Sequence, residues 1–130
     1  MNLPDKFNKI NSITEKKELK KNNKIDRIKA SFDLFVKDGK KVNEIARDLN
    51  YSNATIESYL VEAYKMGYNY PEVKLRELGL SPDNIENVTK LINKYKLDNE
   101  INPPLKYLKE NLDKKVSYLT IKFILVKINI

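Results

Sequence analysis

The sequence has no cysteine, no histidine and no tryptophan. Without thiols there is no disulfide framework and no cysteine nucleophile, and without imidazole there is no histidine base. A thiolate or imidazole zinc site is excluded on the same count. Glycine occurs only at Gly39, Gly67 and Gly79, too few and too scattered for a glycine-rich phosphate cradle. Carboxylates show no spacing that would converge on a metal. No catalytic residue, cofactor or metal is therefore expected, and the chain reads as a non-enzyme. Long apolar runs are missing too. The most apolar stretch, Leu119 to Ile130, contains Lys122 and Lys127 and falls short of the ~20 residues a membrane span needs. The opening Met1-Asn2-Leu3-Pro4-Asp5-Lys6 starts no secretory h-region. An intracellular protein with no membrane contact is expected, whether in cytoplasm and nucleoid, nucleus or a viral factory.

What is present is lysine. The 130 residues, one ordinary domain in length, carry 25 Lys and Arg against 18 Asp and Glu, a net charge of +7. The excess is uneven. Residues 1–29 hold nine positive and four negative side chains, a net of +5. Residues 30–79 hold seven and eight, a net of −1, and residues 80–130 hold nine and six, a net of +3. Such a balance favours polyanionic partners, nucleic acid first among them, although charge alone does not define a fold.

The apolar residues repeat at helical spacing almost throughout. Ser12 with Glu15 forms a capping-box pattern ahead of a short helix over about 13–21. Ile25, Ile28, Phe32 and Phe35 mark a second amphipathic helix that ends near Gly39. Val42, Ile45, Ala46 and Leu49 define the next. After Asn50-Tyr51-Ser52 comes a helix with Ile56, Leu60, Ala63 and Tyr59 on its inner stripe, capped by Ser52 and stopped at Gly67. Short helices follow from Pro71 to Leu78, from Pro82 through Tyr95, and from Pro104 to Asn111 or Leu112. The segment 117–129 is rich in β-formers, but its apolar residues do not alternate and no partner strand is evident, so Ser117 is read as another helix cap. The expectation is all-α. It comprises a basic N-terminal arm over 1–23, a trihelical helix-turn-helix core over 24–69, and a C-terminal helical subdomain over 70–130 packed on that core.

The most specific signal lies between Ser31 and Gly67. Leu34, Gly39, Glu44-Ile45-Ala46, Leu49, Ser52, Thr55-Ile56 and Leu60 are similar to the helix-turn-helix signature of response-regulator and sigma-factor DNA-binding domains. Ala46 is small where two helices cross closely, and Ile45, Leu49, Ile56 and Leu60 fill the wedge between them. The likeness extends through Ala63 to Gly67, Glu77-Leu78-Gly79-Leu80-Ser81-Pro82, Leu105 to Leu108 and Ser117-Tyr118 to Ile128. Over that length the chain resembles the helix-turn-helix module at the C-terminus of RecQ-type, Werner-like helicases and of helicase-associated proteins, here as a freestanding copy. The resemblance implies an accessory domain in nucleic-acid processing. It implies no motor, since Gly39-Lys40-Lys41 lacks the rest of a Walker A loop.

If the helix after the turn meets DNA, Ser52, Asn53, Thr55 and Ser58 are its candidate contacts, with Ala54, Glu57, Val61 and Glu62 also facing outward. Lys41, Arg47 and Lys65 would reach phosphates. The arm residues Lys16, Lys17, Lys20, Lys21 and Lys24, with Arg27 beside them, would add affinity independent of sequence. Tyr64, Tyr68 and Tyr70 could stack on unpaired bases, but at helical and turn spacing they read first as core or semi-core packing. The lysines over 90–96 and 106–115 read as solvated helix faces. Duplex DNA is the expected partner ahead of single strands. The alternative is an adaptor docking on a helicase, polymerase or transcription complex, which the acidic middle favours. The apolar last helix also offers a face for homodimerisation.

Overall fold

The computed structural model describes residues 12–130, with side chains from Asn23 onward. Among these residues there are seven helices and no strand: α1 Ser12–Val36, α2 Val42–Leu49, α3 Asn53–Lys65, α4 Glu72–Glu77, α5 Pro82–Asn99, α6 Leu105–Asn111 and α7 Tyr118–Lys127. The protein is all-α, and the ambiguous last segment is a helix. Its cap forms as its sequence suggests, with Ser117 Oγ accepting the Thr120 N–H at 3.1 Å. None of the described helices is long and apolar enough to cross a membrane.

One boundary differs from the sequence reading. The two helices expected over about 13–21 and from Ile25 are a single helix of 25 residues, about 37 Å long. Asn22 and Asn23 are weak helix formers but cost only tenths of a kcal/mol each, and neither glycine nor proline interrupts the run. Ile25, expected on the inner stripe, is 42% exposed, whereas Ile28, Phe32 and Phe35 are buried.

Helices α1, α2 and α3 build the trihelical core, with the α1–α3 contact the most extensive. Ile28, Phe32 and Phe35 belong to one buried cluster with Ile45, Ala46, Ile56, Leu60 and Ala63. The turn between α2 and α3 is a Schellman closure. Tyr51 N–H bonds Ala46 C=O at 2.8 Å and Asn50 N–H bonds Arg47 C=O at 3.3 Å, while Asn50 takes the left-handed conformation at φ 60°. Asparagine tolerates that conformation at little cost. Ser52 then caps α3, its Oγ accepting the Thr55 N–H at 3.2 Å.

The remaining helices attach through α3. Helix α7 packs on α3 and also on α5 and α6. Tyr70, 5% exposed, joins the two halves. Its ring meets Phe32 of α1 edge-on at 4.8 Å and Phe123 of α7 at 5.4 Å. Its hydroxyl donates to the Leu60 carbonyl of α3 at 2.7 Å. Tyr64 lies 5.2 Å from Phe123 and Tyr68 lies 5.1 Å from Phe32. All three rings therefore pack on the core, Tyr70 buried and Tyr64 and Tyr68 half-buried. The α4–α5 joint rests on α7 at Gly79, which has φ +93°. Thr120 of α7 donates from Oγ1 to the Leu78 carbonyl.

Candidate nucleic-acid interface

Helix α3 has two unlike halves. At its N-terminal end Ser52, Asn53, Ala54 and Ser58 are exposed and Thr55 is half-exposed. The hydroxyls of Ser52 and Thr55 lie 2.9 Å apart. Because Ser52 already accepts from the Thr55 backbone, this pair keeps one hydroxyl proton free for an outside acceptor. Positions 54, 58, 62 and 65 share a face at helical spacing, so the outward strip runs Ala54, Ser58, Glu62, Lys65. From Ser58 onward this strip borders α7 directly, where Ser58, Val61, Glu62 and Lys65 line one groove with Lys122, Leu125 and Val126. Val61, expected to face outward, is 7% exposed. The reason is its place against α7, a helix far along the chain, which α3's own periodicity does not reveal.

The cations sort into free and engaged. Lys41 is exposed at the start of α2, its backbone N–H held by Glu44 Oε1 at 2.9 Å. Arg47 and Lys65 are exposed on the last turns of α2 and α3. Neither these two nor Lys41 forms an ion pair among the described residues. Lys40, next in line to Lys41, is different. Its ammonium is bonded to Asp48, which holds its pKa above the usual lysine value. Lys24 is exposed on α1. Lys16, Lys17, Lys20 and Lys21 lie on the α1 backbone, but their side chains fall outside the described residues, and residues 1–11 of the expected arm fall outside them altogether.

Arg27 plays a part the sequence reading did not give it. Its guanidinium donates to Tyr51 Oη at 3.1 Å and sits 5.6 Å from the same ring's centroid. That hydrogen bond keeps its pKa above the ordinary arginine value. Tyr51 in turn meets Tyr59 edge-on at 6.0 Å. Arg27 thus ties α1 to the helix-turn-helix turn. The only sequence signal for it is an arginine in an otherwise lysine-rich stretch, a residue suited to stacking on tyrosine. Lys122 is half-buried and Lys127 exposed on the otherwise apolar last helix, and they border the hollows beside α3.

The arrangement offers a polar helix end beside a capped turn, with Lys41 at the start of the preceding helix and Arg47 on its last turn, neither in an ion pair among the described residues. In helix-turn-helix domains the N-terminal residues of the second helix of the pair meet base edges while the first crosses the backbone. No curated protein and no solved structure matches the chain. A family model described as a helix-turn-helix domain matches residues 27–125. The match spans α2, the turn and α3 and runs on through α6 into α7. On that match, over about three quarters of the sequence, the chain belongs to this helix-turn-helix domain family.

Proposed function

We propose that the protein is a non-enzymatic DNA-binding protein that holds duplex DNA chiefly by its backbone. The first turns of α3 enter a groove through Ser52, Asn53, Thr55 and Ser58. Lys41, Arg47 and Lys65 meet phosphates, and the Lys16–Lys24 stretch of α1 adds contacts that are blind to sequence. The observation that carries this reading is the open polar end of α3, where Ser52, Asn53 and Ser58 are exposed beside the capped turn. The likeness to RecQ-type modules supports a role accessory to replication, repair or transcription.

The test is binding of labelled duplex and single-stranded DNA over roughly 50 to 200 mM salt. Duplex binding with a steep salt slope is expected. Replacing Lys41, Arg47 and Lys65 together by alanine should make the slope shallower by about 0.9 for each phosphate the variant no longer neutralises. No binding at low salt, or an unchanged slope, would overturn the reading. An adaptor role is the second reading, favoured by the carboxylates Glu57 and Glu62 on α3. Glu57→Lys with Glu62→Lys separates them, strengthening DNA binding under the first and damaging partner docking under the second.

A further inference from the structure

We propose that the groove between the C-terminal half of α3 and the outer side of α7 docks an acidic amphipathic polypeptide segment. This goes beyond DNA contact and does not depend on it. The groove encloses ≈ 360 Å³ and has an apolar floor of Val61, Leu105, Leu125 and Val126. Past Lys65 and Val126 it opens into a second hollow of ≈ 500 Å³ bordered by Tyr64 and Lys127. Helix α7 is apolar nearly all round. Ile121, Phe123 and Ile124 are fully buried, whereas Leu125 and Val126 remain partly exposed on the groove side. A helix apolar on every side is normally covered on every side.

The rim decides the occupant. Lys65 and Lys122 line the groove and Lys127 the adjoining hollow. None of the three forms an ion pair among the described residues. By contrast Lys74, Arg76, Lys90 and Lys106 are each paired with a carboxylate on their own helix. Glu62 is the one acidic side chain in the lining, which Ile130 at the end of the sequence also borders. Three free ammonium groups around an apolar floor match a segment with carboxylates flanking leucine-like side chains, docked as a helix in a groove. A phosphate strand would answer the lysines but bury nothing against Leu105 and Leu125, and protein–DNA interfaces are polar and wet. A second copy of this chain, itself at +7, would oppose lysine rim to lysine rim.

The experiment titrates the full chain into a fluorescein-labelled peptide with leucines at i, i+4 and i+7 and glutamates between them. A version with lysines for the glutamates runs in parallel. The acidic peptide should bind and the basic one should not. Lys122→Glu with Lys127→Glu should weaken binding at least about tenfold, and Leu125→Asp should abolish it. Both variants should leave duplex DNA affinity within about twofold of the parent. Because Leu125→Asp could disturb α7, the double lysine variant is the deciding one if the helical signal falls. Absence of acidic-peptide binding overturns the proposal, as does binding that survives the lysine reversals. Loss of DNA affinity in those reversals would assign the groove to DNA instead. Sedimentation as a dimer that Leu125→Asp dissolves would assign it to a second copy.

Discussion

Replacing Gly79 by alanine tests whether the α4–α5 joint is seated on α7 as described. An alanine Cβ at this position would stand 2.7 Å from Thr120 Cγ2 and 2.8 Å from Thr120 Oγ1. Thr120 cannot step aside cheaply. It is 6% exposed, stiff at χ1 as a β-branched residue, and committed through Oγ1 to the Leu78 carbonyl. Overpacking of this kind costs about 1–3 kcal/mol. The left-handed backbone at φ +93° adds about 1–2 kcal/mol for any L side chain. The stiffer unfolded chain returns about 0.4–1 kcal/mol, so Gly79→Ala should destabilise the protein by about 1–5 kcal/mol. Gly39 is the internal control: it has φ +67° and nothing within 4 Å of an added methyl group, so Gly39→Ala should cost the backbone share alone. Urea denaturation followed by far-UV circular dichroism measures both. Equal losses for the two variants would mean that Thr120 does not press on Gly79, and the placement of α7 against the joint would be refuted.

Two further outcomes follow from single side chains. Tyr70→Phe removes the hydrogen bond to Leu60 and should cost about 1 kcal/mol at neutral pH. Burial keeps the Tyr70 hydroxyl above its ordinary pKa of 10.0, so the unfolded chain loses this proton first. Stability from Tyr70 is therefore constant below pH 10 and declines above it; urea midpoints taken through that range should fall less steeply in the variant than in the parent, and parallel curves would contradict the assignment. Ser52→Ala should cost about 1 kcal/mol through the lost α3 cap. Ser52→Asp should keep the cap while setting a carboxylate where phosphate is expected, so that stability holds and DNA affinity falls; unchanged DNA affinity would remove Ser52 from the contact set.

The parts of this fold that were legible in the sequence are those fixed by neighbours along the chain. The α2–turn–α3 unit rests on Ile45, Ala46, Ile56 and Leu60 at helical spacing and on a serine cap, all within a few turns of one another. For α7 the apolar residues that fail to alternate pointed to helix against their β-propensity, and the Ser117 cap forms in the structure. What was illegible depends on partners distant in sequence. The burial of Val61 comes from α7. The exposure of Ile25 is of the same kind, since its spacing with Ile28 and Phe32 cannot say where the covering surface ends. Lys40 and Lys41 look alike in sequence, yet only Lys40 is engaged by Asp48. Arg27 read as one more arm charge, and its hydrogen bond to Tyr51 spans 24 residues.

Helix α3 concentrates both proposed contacts in 13 residues, and their separation bears on whether they act together. Asn53 and the middle of the Val61–Lys65 segment are about ten residues apart, or roughly 15 Å along the axis. The Debye length at physiological salt is about 8 Å, so charges at the two ends are screened over nearly two such lengths. A carboxylate held by Lys122 would then exert little repulsion on a phosphate at Asn53. Glu57 stands between the ends, whereas Glu62 lines the groove itself, so Glu57 alone opposes an anionic ligand extending along α3 from either end. On this geometry the Asn53 end and the α7 groove meet only at Ser58 and Lys65, which border both, so the lysine reversals on α7 and the substitutions at Ser52 still report on different ends of the helix.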